Sequence, residues 1–210
     1  MSMPQRSETR EATGGKAEAV LAAAERAFLA HGFGVVSMDA IAREAAVSKA
    51  TVYAHFTSKE ELFGAVIARL SERRFHGFSV DALDPRDIDA SLLTIASRFL
   101  DLVLSSEAIA LNRIIIGEVT RFPVLGEVFW AAGPERTRVQ IEEFLRRAAA
   151  AGSLAIEDPR LAAEQFVALA RGEIHLRRLL RLDDEVGESG LAAAAESAVA
   201  TFLRAFRPQN

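Results

Sequence analysis

The chain contains no cysteine among its 210 residues, which excludes disulfides, a cysteine nucleophile and zinc–thiolate sites. Proline and glycine are also scarce, at 6 and 13 residues, while alanine and leucine are abundant. This composition favours helix, because proline and glycine are the two poorest helix formers. Apolar residues make up 50% and charged residues 26% of the chain, which is ordinary for a globular protein.

An excess of positive charge is absent as well, since the formal net charge is −4 at pH 7. A protein that coats nucleic acid without sequence preference is usually basic, so any such contact must come from a local patch. No apolar run reaches the roughly 18 residues of a membrane span, and residues 1–8 lack the apolar segment of a secretory signal. We therefore expect a cytoplasmic protein with no membrane contact.

The motifs of common enzyme classes are missing. The histidines His31, His55, His76 and His175 are scattered and show no metal-ligand spacing. No glycine loop could cradle a phosphate, and Gly-Glu-Ser-Gly at 187–190 differs from the nucleophile elbow Gly-x-Ser-x-Gly. We predict that the chain is not an enzyme and that it uses no metal and no cofactor.

Apolar residues recur at helical spacing along most of the chain, and no segment shows the alternation of a strand. The sequence predicts an all-α fold. Residues 1–15 are polar and aperiodic and are predicted to be a disordered arm. Residues 16–60 are predicted to form a helical head, and a long helix starting at Ser58 leads into a helical body at 61–210. Further helices are expected at 87–105, 107–121, 134–151, 158–182 and 190–206.

Two short helices are predicted close together in the head. Ser37 and Ser48 are both good N-cap residues, and so little chain separates the helices they begin that the chain must turn sharply. No acidic residue lies between Glu44 and Glu60. This is the form of a helix-turn-helix, whose second helix lies in the major groove of DNA. Ile41, Ala42, Val52 and Phe56 are predicted to face the core, whereas Lys49, Ala50, Thr51, Tyr53 and His55 face away.

The segment SMDAIAREAAVSKATVYAHFTSKEELF, preceded by a helix ending AFLAHGFGVV, resembles the DNA-binding head of the TetR/AcrR family of bacterial transcriptional regulators. YAHF followed by SKEEL is its most specific part. One departure is Ala46, where the family usually has glycine. Alanine forced to positive φ costs roughly 1–2 kcal/mol, so we expect the turn to adjust instead.

The resemblance implies that Lys49, Thr51, Tyr53 and His55 face DNA. It also implies that Ser37 and Lys59 hold phosphates at helix N-termini, where backbone N–H groups favour anions. Simple surface packing of Tyr53 and a merely solvated His55 remain open alternatives. The predicted DNA-binding set is Ser37, Ser48, Lys49, Ala50, Thr51, Tyr53, His55 and Lys59.

Two segments of the body, RIIIGEVTRFPVLGEVFWAAGPERT and DPRLAAEQFVALARGEIHLRRLL, are similar to the C-terminal domain of the AefR-like subgroup. This resemblance implies a homodimer on a palindromic operator, with a body that binds a small effector and last two helices that form the subunit contact. The apolar stripes of those helices agree, although the alternative is that they form only the core of a monomer. The predicted interface is Phe166, Leu169, Gly172, Leu176, Ala195, Val199, Phe202 and Phe206.

The segment 109–119 is apolar on most sides, which makes its polar residues unusual in a helix expected to be buried. A mostly apolar cavity with a few polar groups is the expected form of a small-molecule site. The alternative is an ordinary core in which Arg113 pairs with an acid. The predicted effector-binding set is Phe99, Asn112, Arg113, Phe122, Phe129 and Trp130.

These features together predict a DNA-binding transcriptional regulator, a repressor that a small, mostly apolar effector releases from its operator. The alternative is a DNA-binding protein without a small-molecule ligand, acting as an architectural or partner-controlled factor. A body that is solidly packed would favour that alternative.

Overall fold

A computed structural model describes residues 5–74, 80–182 and 187–208, and the described residues form helices and turns with no strand. This confirms the predicted all-α class. The helices are α1 (Gln5–His31), α2 (Met38–Glu44), α3 (Lys49–His55), α4 (Lys59–Arg74), α5 (Ile88–Val103), α6 (Ser106–Glu118), α7 (Val124–Ala132), α8 (Pro134–Ala150), α9 (Pro159–Leu179) and α10 (Glu188–Phe206), with a single 3₁₀ turn at Val80–Ala82.

The chain divides into two compact units. The head unit contains Met1–Arg69 and Arg113–Ala132, and the body unit contains Leu70–Asn112 and Gly133–Asn210. The predicted boundary lay at residue 60, with everything after it in the body. The second half of α6 and all of α7 instead group with the head, where Glu118 of α6 contacts the turn between α1 and α2 and Val128 of α7 lies next to Gly64 of α4.

Helix α1 begins at Gln5, well before the predicted start at residue 16. The structure includes residues 5–15, predicted as a disordered arm, in α1, and residues 1–4 lie outside the described part of the chain. Six of these eleven residues are glutamine, arginine, glutamate or alanine, which are good helix formers. A helix already nucleated further along can extend into such residues even though they offer no apolar face.

Helix α7 has no counterpart in the prediction. It spans only Val124–Ala132, directly after Pro123 and just before Pro134, and Leu125 is its fully buried residue. Proline at both flanks obscured the helical signal, because such residues mark turns more often than helices. Tertiary packing of Leu125 into the head unit supplies what the short segment lacks.

The core of the head unit is built around three phenylalanines. Phe28, Phe33 and Phe63 have no exposed surface, and their ring centroids lie 5.1 to 5.8 Å apart. Two of these contacts are edge-to-face, a geometry that aromatic rings prefer. This cluster fixes α1 and α4 to the turn that leads into α2.

The predicted caps and inward face of the helix-turn-helix are present. The Ser37 Oγ accepts the Ala40 N–H at 3.2 Å, and the Ser48 Oγ accepts the Thr51 N–H at 3.1 Å. Satisfying an otherwise unpaired N–H at a helix start is typically worth about 1 kcal/mol. Ile41, Ala42, Val52 and Phe56 are buried, as predicted.

Ala46 has φ of 53°, in the left-handed region. The expectation that the turn adjusts to avoid this angle is wrong. The chain reverses within three residues, because the Val47 N–H must reach the Ala42 carbonyl at 3.0 Å, and that bond requires a left-handed residue between them.

In the body unit, α5, α8, α9 and α10 pack around a common apolar core. Phe166 and Phe202 are fully buried there, with ring centroids 5.1 Å apart at an interplanar angle of 80°. Ala195 and Val199 belong to the same core. These four residues of the predicted subunit contact lie in the core of a single chain, so their side chains are covered without a partner. Phe206 also packs partly against this core.

Helix α9 is broken at Gly172, which has φ of 50° and ψ of −159°. A Cβ added there would meet no atom within 4 Å. The glycine is therefore required by the backbone angle and not by close approach of another segment of the same chain. Leu169 and Leu176, on either side of the break, are exposed.

Candidate nucleic-acid interface

Helix α3 presents one buried and one open face. Val52 is its buried residue, while Lys49, Ala50 and Tyr53 are exposed and 44% of the Tyr53 surface is accessible. Thr51 and His55 are half-buried at the edges of the open face. The arrangement leaves a short helix with a free, capped N-terminus and no acidic residue of its own, as a reading helix requires.

Lys49 is held at the start of this helix by a surface ion pair. Its Nζ lies 2.8 Å from an Asp39 carboxylate oxygen and 5.8 Å from the centroid of the Tyr53 ring. The hydrogen bond to Asp39 is the main cause that raises the pKa of Lys49. Exposed pairs of this kind are worth little in water, so a phosphate can displace Asp39 at small cost.

The hydroxyl groups of Ser37 and Ser48 are engaged as caps within the chain. The Ser48 Oγ also lies 2.8 Å from the Thr51 Oγ1, which fixes the first turn of α3. Both caps leave backbone N–H groups at the helix starts, where the helix dipole favours anions such as phosphate.

Lys59 was predicted to hold a DNA phosphate, but its ammonium is hydrogen-bonded within the chain. Its Nζ donates to the carbonyl oxygens of Phe33 at 2.8 Å and Val36 at 2.9 Å, and it lies 4.2 Å from the centroid of the Phe33 ring. Burial of the ammonium lowers the pKa of Lys59. The side chain holds the turn between α1 and α2, and this geometry gives no support to a phosphate contact by its ammonium.

Sequence reasoning missed Glu118, the last residue of α6. Its carboxylate accepts the Phe33 N–H at 2.8 Å and the Gly34 N–H at 2.6 Å. The glycines of Gly32-Phe33-Gly34 do signal a turn. No local signal could have paired that turn with an acid 85 residues later in the chain.

The predicted effector-binding residues have different environments. Phe99 is buried in the body unit against Ala170 and Ala198, whereas the Phe122 ring packs 5.5 Å from Phe33 in the head unit. Trp130, on the short helix α7, is 56% exposed, so it lines no enclosed cavity within the single chain.

The remaining three predicted effector residues are half-buried. Arg113 and Phe129 lie in the head unit. Asn112 lies in the body unit, and its amide donates to the Ala108 carbonyl of its own helix at 2.9 Å.

The described residues contain neither a candidate metal site nor a candidate membrane span. No group of three or more potential ligands is placed to hold a metal ion. No helix in the described ranges is long and apolar enough to cross a bilayer.

Comparison with known families and proteins matches both parts of the chain. Residues 20–66 match the family described as bacterial regulatory proteins, tetR family. Residues 90–208 match the family described as AefR-like transcriptional repressor, C-terminal domain. The first match covers the helix-turn-helix, and the second covers more than half of the chain.

Several individual proteins are similar over most of this chain. The structure of the flavonoid-responsive regulator FrrA is 38% identical with a TM-score of 0.76, and the match covers 94% of this chain and 100% of that one. A TetR transcriptional regulator from Agrobacterium tumefaciens is 26% identical with a TM-score of 0.75, covering 92% and 95%.

A curated relative is the HTH-type transcriptional regulator SrpR of Pseudomonas putida, 29% identical over 137 residues. That match spans 65% of this chain and 62% of SrpR. Family matches at both ends and a shared helical fold lead to one assignment. The chain belongs to the TetR family of bacterial regulatory proteins, and its C-terminal part belongs to the AefR-like group of that family.

Proposed function

We propose that the protein is a cytoplasmic transcriptional repressor that binds a palindromic operator as a homodimer and is released by a small molecule. The observation that carries the DNA-binding part is the open face of α3, which is capped by Ser48, free of acids and bears Lys49 and Tyr53. Family membership supports the same conclusion. Regulators of this family are transcription factors and not enzymes.

The DNA-binding part can be tested with an operator selected by the wild-type protein from a random pool of duplex DNA. Tyr53→Ala and Lys49→Ala should each weaken operator binding about ten-fold or more, because a good base contact is worth roughly 1–3 kcal/mol. Arg86→Ala is a control, since it removes one exposed cation from the body unit. If both α3 variants bind as the wild type does, α3 is not the reading helix.

The dimer contact is proposed to lie on the exposed side of α9. Leu161 and Leu169 precede the break at Gly172, Leu176 and Leu180 follow it, and all four are exposed. Several exposed leucines on one helix are more typical of a protein–protein contact than of a free surface. Exposed alanines of α10, namely Ala192, Ala193 and Ala200, extend the candidate surface.

The effector is proposed to be a flat aromatic molecule with phenolic oxygens. The support is the similarity to a flavonoid-responsive regulator over nearly the whole chain.

The body unit contains a side chain that could donate a hydrogen bond to a phenolic oxygen. The Arg171 Nε is buried and has no hydrogen-bond partner among the described residues, and burial lowers the pKa of this side chain. An unpaired buried donor is costly, so an acceptor from a ligand would be stabilising.

Arg171 directly follows Ala170, a member of an apolar cluster in the body unit. It directly precedes the break at Gly172 and follows Val167 by one helical turn. Val167 packs against the cluster of Phe99, Ala170 and Ala198. Aromatic and polar groups thus occur together in the body unit, as in typical small-molecule sites.

A titration of the operator complex with the flavonol quercetin tests this proposal by fluorescence anisotropy. We expect release of the wild type and a requirement for about ten-fold more flavonol with Arg171→Met. Arg146→Met, an exposed arginine of α8, is the control. The alternative, a DNA-binding protein without a small-molecule ligand, would be favoured if calorimetry detected no flavonol binding to the wild type.

A further inference from the structure

Two charged side chains bind the backbone of the turn between α1 and α2, one at its N–H groups and the other at its carbonyl groups. On the N–H side, Phe33 and Gly34 donate to the two carboxylate oxygens of Glu118, at 2.8 and 2.6 Å. On the carbonyl side, Phe33 and Val36 accept from the Lys59 ammonium at 2.8 and 2.9 Å. Hydrogen bonds to charged groups are shorter and stronger than neutral ones, so both contacts restrict the turn.

Two glycines of the turn lie so close to the Glu118 carboxylate that a side chain at either would collide with it. A Cβ on Gly32 would lie 2.5 Å from the Glu118 Oε1. A Cβ on Gly34 would lie 3.0 Å from the Glu118 Oε2 and 3.2 Å from the Phe122 ring. Gly34 has no positive φ, so close approach is the reason that the structure needs glycine there. Gly32 also has φ of 77°, which favours glycine by itself, so Gly34 is the position where close approach alone requires glycine.

The turn determines where the helix-turn-helix begins. Val36 immediately precedes Ser37, the cap of α2, and the Phe33 ring packs against Phe28 and Phe63 in the head core. A shift of this segment would move the start of α2, and α3 follows α2 through the tight turn at Ala46. Shifts of about 1 Å are enough to misalign side chains with base edges, because direct readout depends on hydrogen-bond geometry.

We propose that Glu118 is a positioning residue for operator recognition. It contacts no DNA and acts through the backbone of residues 33 and 34, whose position sets the start of α2 and the orientation of α3. Neither the family matches nor the names of the relatives assign this role to a residue of α6. The inference rests on the proposed DNA binding by the face of α3.

The test uses operator and non-operator duplexes with the full-length protein. Glu118→Ala and Glu118→Gln should each lower operator affinity about ten-fold, which is within the usual range of coupling between two sites in a protein. Affinity for non-operator DNA should stay the same. In Glu118→Gln the amide oxygen can accept one of the two backbone N–H groups, but the amide NH₂ faces the other donor, so one of the two hydrogen bonds is lost. Amide hydrogen exchange of Phe33 and Gly34 should accelerate in the same variants.

Two matched variants separate positioning from simple loss of stability. Leu125→Ala removes a fully buried side chain of the same unit without touching the carboxylate, and should lower Tm yet preserve operator affinity at temperatures well below Tm. Gly34→Ala should displace the carboxylate and reproduce the Glu118→Ala defect. The double variant Gly34→Ala/Glu118→Ala should then be no worse than either single variant, because both remove one interaction.

Operator affinity unchanged in Glu118→Ala would overturn the inference, as would an equal loss in Leu125→Ala and Glu118→Ala. Additive defects in the double variant would also overturn it. If instead the proposed function is wrong, the wild-type protein would select no operator, or Tyr53→Ala would bind the operator as the wild type does. These results differ from those that would overturn the role of Glu118.

Discussion

At the scale of single residues, the left-handed backbone at Ala46 and the buried imidazole of His175 both have consequences that can be measured. Ala46 has φ of 53° at a position where an L side chain crowds the following carbonyl. His175 is buried in the body unit and lies near the Arg171 guanidinium. The first feature affects stability at every pH, and the second affects it only in acid.

Ala46→Gly should stabilise the protein by about 0.5–1 kcal/mol. Relief of roughly 1–2 kcal/mol of strain is partly offset by the greater entropy of glycine in the unfolded chain. Thermal unfolding should show an increase in Tm of about 1–4 °C for a chain of this size. Ala45→Gly is the control and should be destabilising, because Ala45 has φ of −77° and gains nothing from glycine.

Burial, and secondarily the charge of Arg171, lowers the pKa of His175 from 6.5 to about 4. The unfolded chain therefore binds a proton below pH 6.5 that the folded chain does not bind. The stability associated with the neutral imidazole is fully present above pH 6.5 and is lost as pH falls from 6.5 toward 4. Between pH 7 and pH 5 the loss is about 1–2 kcal/mol.

Urea unfolding of the wild type and His175→Gln at pH 7 and pH 5 measures this effect. The wild type should lose stability on acidification by more than the variant does, because glutamine does not titrate. Equal losses in both proteins would show that His175 has a normal pKa in the folded state.

At the scale of elements, α9 has two faces with different roles. Phe166 and Ala170 face the core of the body unit, while Leu169, Leu176 and Leu180 are exposed. The break at Gly172 separates Leu169 from Leu176 and so changes the direction in which the two halves of the helix present their leucines. The exposed side has the chemistry of a subunit contact, and the opposite side does not.

Leu176→Glu should convert the dimer to a monomer, because the 55% exposed leucine would place an unpaired charge in an apolar contact. Multi-angle light scattering at micromolar concentration measures the change. Val139→Glu on α8 is the matched control, since Val139 is also an exposed aliphatic residue, at 49%. If Leu176→Glu stays dimeric while Val139→Glu becomes monomeric, the contact lies on α8 instead.

At the scale of the whole molecule, a dimer imposes a spacing on its DNA. Reading helices of helix-turn-helix dimers enter half-sites about one helical turn, roughly 34–36 Å, apart, or a multiple of that distance. A rigid pair of heads cannot follow half-sites that are rotated to opposite sides of the duplex. Operator affinity should therefore depend on the phase of the half-sites as well as on their sequence.

Insertion of 5 base pairs between the selected half-sites should reduce binding about 100-fold, because it rotates one half-site by about half a turn. Gel-shift titration measures the loss, and substitution of the same central base pairs without insertion is the control. Equal affinity for both DNAs would indicate that each head binds independently, as in a protein without a fixed dimer.

Much of the head could be predicted from sequence because its signals are local. The cap serines, the inward positions Ile41 and Val52 and the acid-free helix all lie within a short segment, and each is visible in the structure. The all-α class followed from helical periodicity in the same way. The start of α1 was missed because helix propensity without an apolar face gives only a weak signal, and α7 was hidden between prolines.

The sequence by itself determined the fold class, the helix-turn-helix and the solvent-exposed face of α3, because neighbouring residues encode capping and periodicity. Only the tertiary structure decided which apolar stripes face inward and which charges are engaged. Phe202 and Leu176 are equally apolar in sequence, yet one is buried and the other exposed. Lys59 and Glu118 hold one turn from distant parts of the chain. Such pairings depend on how the helices pack, and helix packing is a non-local property that local residue patterns do not specify.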